Sequence, residues 1–280
     1  MIAVLATLLI STHAWADPPL SAGYQLQDAG HDLDAPVALV VVTPGMDPAA
    51  FQPMVQALED RGLDAWAVRV RLTAPLPPAD ADLWIASTLL PAAIAELRER
   101  DPKAAELALV GHGPGGTIAL MTAQHVAPRA VAVVGAPFGP IDTAAMAHLA
   151  DAQLPELGNV NLSTPLDWQG HDMATLLLGD PPPPLAPLSV DLARAWLRWA
   201  QEGPPLTLAD VDCPAWIGLA AMDRLVPIES ARVVSQALPD RHFVRFGLLR
   251  LDPHDPGSAD LLRERRYLDV MAGWVAGELD

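Results

Sequence analysis

The feature that most limits the fold is the hexapeptide Val37 to Val42 (Val-Ala-Leu-Val-Val-Val), an unbroken apolar run closed by Pro44-Gly45. A strand with one wet face alternates apolar and polar residues, whereas a run that is apolar at every position needs cover on both faces. Parallel sheets meet that need, because their crossover connections lay helices against the sheet. The chain supplies such connections in order. Ala49 to Arg61 carries Phe51, Met54, Val55 and Leu58 at helical spacing and stops at Gly62. Asp64 to Val70 reads as a second strand, and Asp80 to Arg100 as a long helix interrupted or kinked near Pro91. Leu107 to Val110 is a short buried strand, Gly115 to His125 a helix, and Ala130 to Val134 a fourth strand. This alternation implies right-handed crossovers and a mainly parallel sheet with helices on both faces, the α/β class.

The pattern breaks from Phe138 to about Leu208, where no sheet-like strand is legible. That stretch holds the run Pro181-Pro182-Pro183-Pro184, a stiff extended spacer, and an amphipathic helix from Ser189 to Gln201. Strands flank it on both sides, so it reads as a helical cap inserted at about 138–208 into one domain. The sheet resumes at Ala215 to Leu219 and His242 to Leu248, with a helix at Ile228 to Leu238 between them and a last helix from about Ala259 to Leu279. A length of 280 residues is ample for one large α/β domain and short for two.

The amino-terminal residues read as a targeting segment. Ile2 to Ile10 is apolar, and Ala14-Trp15-Ala16 before Asp17 fits a small-x-small cleavage site, although no Lys or Arg precedes the apolar run. The expectation is a signal peptide at residues 1–16, export to the periplasm or medium, and a mature chain that begins at Asp17. The run is too short to span a bilayer, so no stable membrane span is expected in the mature chain. A formal net charge of −17 opposes binding to nucleic acid or anionic lipid. Cys213 is the single cysteine, which excludes an intramolecular disulfide and a cysteine-based metal cluster. Lying just before a strand, it reads as a small buried apolar side chain. The eight histidines show no ligand spacing, and neither a metal nor a cofactor is expected.

Function turns on Leu109-Val110-Gly111-His112-Gly113-Pro114-Gly115-Gly116, a glycine-rich turn between a buried strand and a helix. Phosphate binding at the helix N-terminus is one reading of such a turn, but no Lys-Ser/Thr pair follows, so it is not a P-loop. The segment resembles the nucleophile elbow, Gly-x-Ser-x-Gly, of the α/β-hydrolase fold superfamily of serine esterases and lipases. Gly111 and Gly115 match the outer glycines, His112 suits the position before the nucleophile, and Gly113 stands in the serine's place. Leu219 to Pro227 resembles the strand that ends in the catalytic acid, which makes Asp223 the acid position. Thr43-Pro44-Gly45-Met46 resembles the loop that supplies an oxyanion donor at Met46, though it lacks the family's usual His-Gly form. The base has two alignments. His254 is the nearest histidine after the last strand, whereas matching Gly257-Ser258-Ala259-Asp260-Leu261 to a Gly-His-x-Asp-Leu pattern puts Ser258 where the histidine belongs. The resemblance covers about residues 36–278.

The resemblance implies acyl-transfer chemistry, and this sequence departs from it at two points. Gly113 offers no nucleophile, and Pro114 has no N–H with which to complete an oxyanion hole. The expected protein is therefore a non-catalytic relative that binds a small apolar ligand or a protein partner. Trp168, Trp196 and Trp199 are candidate lining for a pocket between sheet and cap. The alternative is an active ester or acyl hydrolase with an unrecognised nucleophile, for which Thr43, Thr117 and Ser258 are the candidate hydroxyls and His112 a candidate base. Each has an ordinary reading as a strand end, first-turn residue or helix cap.

Overall fold

Six consecutive buried residues form β2 (Val37–Val42), the inner strand from which the sheet grows in both directions. The computed structural model describes residues 23–28, 34–42, 48–70, 81–136, 203, 210–220, 245–249 and 265–280. The expected signal peptide, the cap with Trp168, Trp196 and Trp199, the helix at 228–238 and the start of the last helix lie outside the described residues. The other strands are β1 (Tyr24–Asp28), β3 (Asp64–Val70), β4 (Ala108–His112), β5 (Ala130–Val134), β6 (Ala215–Ala220) and β7 (Arg245–Leu249). They form one seven-stranded sheet in the order β1-β3-β2-β4-β5-β6-β7. Every neighbouring pair is parallel except β1 with β3. Val40 of β2 stands opposite Ala67 on one side and Val110 on the other.

The helices cover both faces, as the apolar strands require. α1 (Gln52–Glu59), which follows a 3₁₀ turn at Pro48–Phe51, packs with the C-terminal helix α5 (Arg265–Leu279) over Val40, Val42, Val110, Ala132 and Trp216. The opposite face, including Leu39, Val41, Leu109, Val131 and Ile217, packs against α3 (Leu90–Arg100) and α4 (Gly113–Val126). Cys213 lies in this second core, and burial pushes its thiol up to about 12, as expected for a side chain that packs rather than reacts.

Pro91 interrupts its helix in a specific way. α2 (Ala81–Trp84) continues through a π-helical turn at Ile85–Leu89 into α3. Widening the ladder there makes room for the ring of Pro91, which has no N–H to contribute. The Ser87 hydroxyl donates to the Leu83 carbonyl at 2.6 Å within the altered stretch.

β1 was not expected from the sequence. Its residues, Tyr-Gln-Leu-Gln-Asp, are mostly half-buried or exposed, and it pairs with β3 alone among the described strands. An edge strand needs no apolar run, so composition did not mark it. The Tyr24 hydroxyl donates to the Glu96 carboxylate at 2.6 Å and ties this edge to α3. Among the described residues no helix is long and apolar enough to cross a membrane.

Candidate functional site at the carboxyl end of β4

Strand order locates a site before any side chain is considered. From β2 the chain moves to β3 on one side, then returns past β2 to β4 on the other and continues outward through β5, β6 and β7. The carboxyl ends of β2 and β4 therefore flank a topological switch point, where open α/β sheets leave a crevice for ligands. β4 ends at His112 and α4 begins at Gly113, so the glycine-rich turn lies at that point. The strand and the helix are both longer than their sequence patterns indicated, and the turn between them is correspondingly tight.

Two glycines of the turn are there for different reasons. A Cβ on Gly111 would lie 2.7 Å from the Gly116 Cα and 2.8 Å from the Gly115 carbonyl oxygen, so strand and helix approach too closely for any side chain. Gly113 has φ +53, the left-handed region that follows extended backbone at His112. A Cβ built on Gly113, which is itself buried, meets nothing within 4 Å among the described residues. A non-glycine residue in that backbone conformation would carry a conformational cost of roughly 1–2 kcal/mol. Crowding thus explains Gly111 and does not explain Gly113.

Pro114 is half-buried in the first turn of α4. Its fixed φ suits a helix start, where the N–H it lacks would have no intrahelical partner. The turn accordingly offers one backbone donor fewer. His112 is buried and meets Phe51 edge-to-face, with centroids 6.2 Å apart and planes at 78°. Phe51 belongs to the 3₁₀ turn before α1, so this contact fastens the end of β4 to the segment that follows β2. The sequence did not signal this pairing: Phe51 reads as an apolar position of its helix, and His112 as the residue before the nucleophile position and a candidate base. Thr117 is fully buried in α4, away from solvent.

Met46, Asp223, His254, Ser258 and Thr43 lie outside the described residues. The strand expected to precede the acid position is present, since β6 ends at Ala220, three residues before Asp223. Among the described residues no group of three or more His, Cys, Asp or Glu could hold a metal ion.

Solved structures share this arrangement of sheet and helices. A carboxylesterase from the thaumarchaeon Nitrososphaera gargenis superposes with a TM-score of 0.58 at 14% identity, over 91% of this chain and 94% of that one. An enol-lactonase from Burkholderia xenovorans gives 0.53 at 19% identity, over 91% and 95% of the two chains. A haloalkane dehalogenase variant from Bradyrhizobium elkanii gives 0.56 at 15% identity, over 91% and 93%. The chain has the α/β-hydrolase fold. At these identities the likeness is one of fold, and fold alone does not carry function. No family model and no curated protein sequence matches this α/β-hydrolase-fold chain.

Proposed function

We propose that this α/β-hydrolase-fold protein is exported, does not catalyse acyl transfer, and works by binding a small apolar ligand or a protein partner. The observation that carries this reading is the turn at the switch point, where Gly113 holds a left-handed conformation with no side chain and Pro114 follows it with no N–H. Removing the nucleophile of a serine hydrolase costs on the order of 10⁶ in turnover. Removing one oxyanion donor costs on the order of 10²–10³. The two losses share a site and need not multiply, but the first alone suffices. In this reading Gly113 is the nucleophile-equivalent position, Asp223 the acid-equivalent, His254 or Ser258 the base-equivalent, and Met46 and Pro114 the oxyanion-equivalent positions.

The fold shared with a carboxylesterase and an enol-lactonase favours one competing reading, an ester hydrolase with a displaced nucleophile. Hydrolysis of an activated short-chain ester by the purified protein, with His254→Ala alongside, separates the two. Turnover at background level is expected for both proteins. Wild-type turnover that vanishes in His254→Ala would establish the enzyme instead.

A further inference from the structure

We infer that Arg69, Gln25 and Gln27 form a binding site for a small oxyanion, a carboxylate or phosphate group, at the outer edge of the sheet beside the carboxyl end of β2. The register brings the three together. Arg69 is paired with Val42, the last residue of β2, on one side and with Gln25 of β1 on the other, and Gln27 stands opposite Ala67. Paired residues share a face of the sheet, as do alternate residues along one strand. Ala67, Val40 and Val42 belong to the core under α1 and α5, whereas Tyr24 and Leu26 pack against the opposite core. Arg69, Gln25 and Gln27 therefore share the α1 face, with the Cβ atoms of Arg69 and Gln25 roughly 5 Å apart.

The protein leaves all three side chains wanting a partner. Arg69 is half-buried, and among the described residues no hydrogen bond or ion pair engages its guanidinium. Arg61 and Arg266, likewise unengaged, are exposed to water, which serves them instead. Gln25 is only 7% exposed and its carboxamide has no partner, and the Gln27 Oε1 is buried without one. Polar groups that have given up water without gaining a hydrogen bond cost stability, so a ligand that restores those bonds is favoured. The chain has 34 acidic residues against 17 basic ones, yet supplies no carboxylate to Arg69. A guanidinium offers a planar fork of N–H donors to two oxygens of one anion, and a carboxamide turned about its last bond adds N–H donors to the remaining lone pairs. An oxyanion satisfies all three groups at once. An apolar ligand would satisfy none, and a cation would meet the charge of Arg69.

The experiment titrates the isotope-labelled full-length chain with sodium acetate, and separately with sodium phosphate, at constant pH and ionic strength. It reads the side-chain N–H resonances of Arg69, Gln25 and Gln27. Saturable shifts in the millimolar range are expected, with affinity lowered about tenfold or more in Arg69→Gln and unchanged in Arg61→Gln. Tighter binding of acetate would assign a carboxylate-bearing ligand to the site, and tighter binding of phosphate a phosphate-bearing one. Absence of saturation by either anion in the folded wild type would overturn the inference. So would saturation that leaves the Gln25 and Gln27 resonances unmoved, or equal affinity in Arg69→Gln. Should Arg69→Gln fail to fold, the wild-type resonances decide alone. The site lies apart from the turn after β4, so ester turnover has no bearing on this outcome.

Discussion

At Gly218 the sheet and the C-terminal helix come closer than side chains allow. A Cβ there would lie 1.6 Å from the Tyr267 hydroxyl oxygen and 2.5 Å from the Trp216 ring. Tyr267 and Trp216 themselves meet edge-to-face at 5.2 Å and 60°. Gly218→Ala should therefore destabilise by about 3 kcal/mol through overpacking. The Tyr267 hydroxyl is buried and has no hydrogen-bond partner among the described residues. Tyr267→Phe, which deletes that hydroxyl, should recover about 1 kcal/mol of the loss in the double variant. Strictly additive effects in denaturant titrations would show that the hydroxyl does not set this contact. Both tyrosines of the chain are also held as neutral phenols. Burial, then the Glu96 carboxylate that accepts its hydrogen bond, pushes Tyr24 up to about 12, and burial pushes Tyr267 up as well. The folded state thus keeps phenol protons that the unfolded chain releases near pH 10.0. That stabilisation is complete below about pH 10 and is lost as pH rises through the raised values. Absorbance at 295 nm should show little phenolate at pH 10 before unfolding, and half-ionisation there in the folded protein would contradict the packing described.

At the scale of elements, α4 connects the candidate site to the body of the fold. Its first residues form the turn and its middle is buried against the sheet. It ends at Ala127 with φ 44, the only left-handed non-glycine among the described residues. Arg98 reaches this end, donating to the Val126 carbonyl at 3.5 Å and to Ala104 at 3.1 Å. An alanine at a left-handed helix terminus is strained by roughly 1–2 kcal/mol, part of which glycine returns as extra freedom in the unfolded chain. Ala127→Gly should accordingly stabilise by about 0.5–1 kcal/mol, with the midpoint of urea unfolding as the measure. An unchanged or lower midpoint would mean that the helix end is held by its neighbours without strain. The helices and strands themselves were legible in the sequence wherever the pattern was long. β3 and β5 match their expected bounds residue for residue. β1 and the π-helical turn were not legible: an edge strand carries no apolar signature, and a proline marks a disturbance without saying how the ladder absorbs it.

At the scale of the whole molecule, the export we propose would depend on residues 1–16 rather than on the fold. Expression of the full gene product in a bacterial host should yield, from periplasm or medium, a protein whose intact mass begins at Asp17. A full-length chain from Met1 retained in the cytoplasm would remove the export proposal and leave the fold untouched.

The sequence by itself determined the class of structure, because apolar runs that demand cover on both faces and helices of crossover length between them admit few arrangements. It also identified Gly113 and Pro114, since the absence of a side chain and of an N–H is a matter of covalent structure. Tertiary structure alone decided strand order, and with it the switch point at which the turn lies, because neighbours in a sheet are chosen by packing between residues distant in sequence. It alone distinguished Gly111, forced by the approach of α4, from Gly113, whose built Cβ meets nothing within 4 Å among the described residues. Both are glycines in one pentapeptide, and only the positions of atoms brought in by the fold tell them apart.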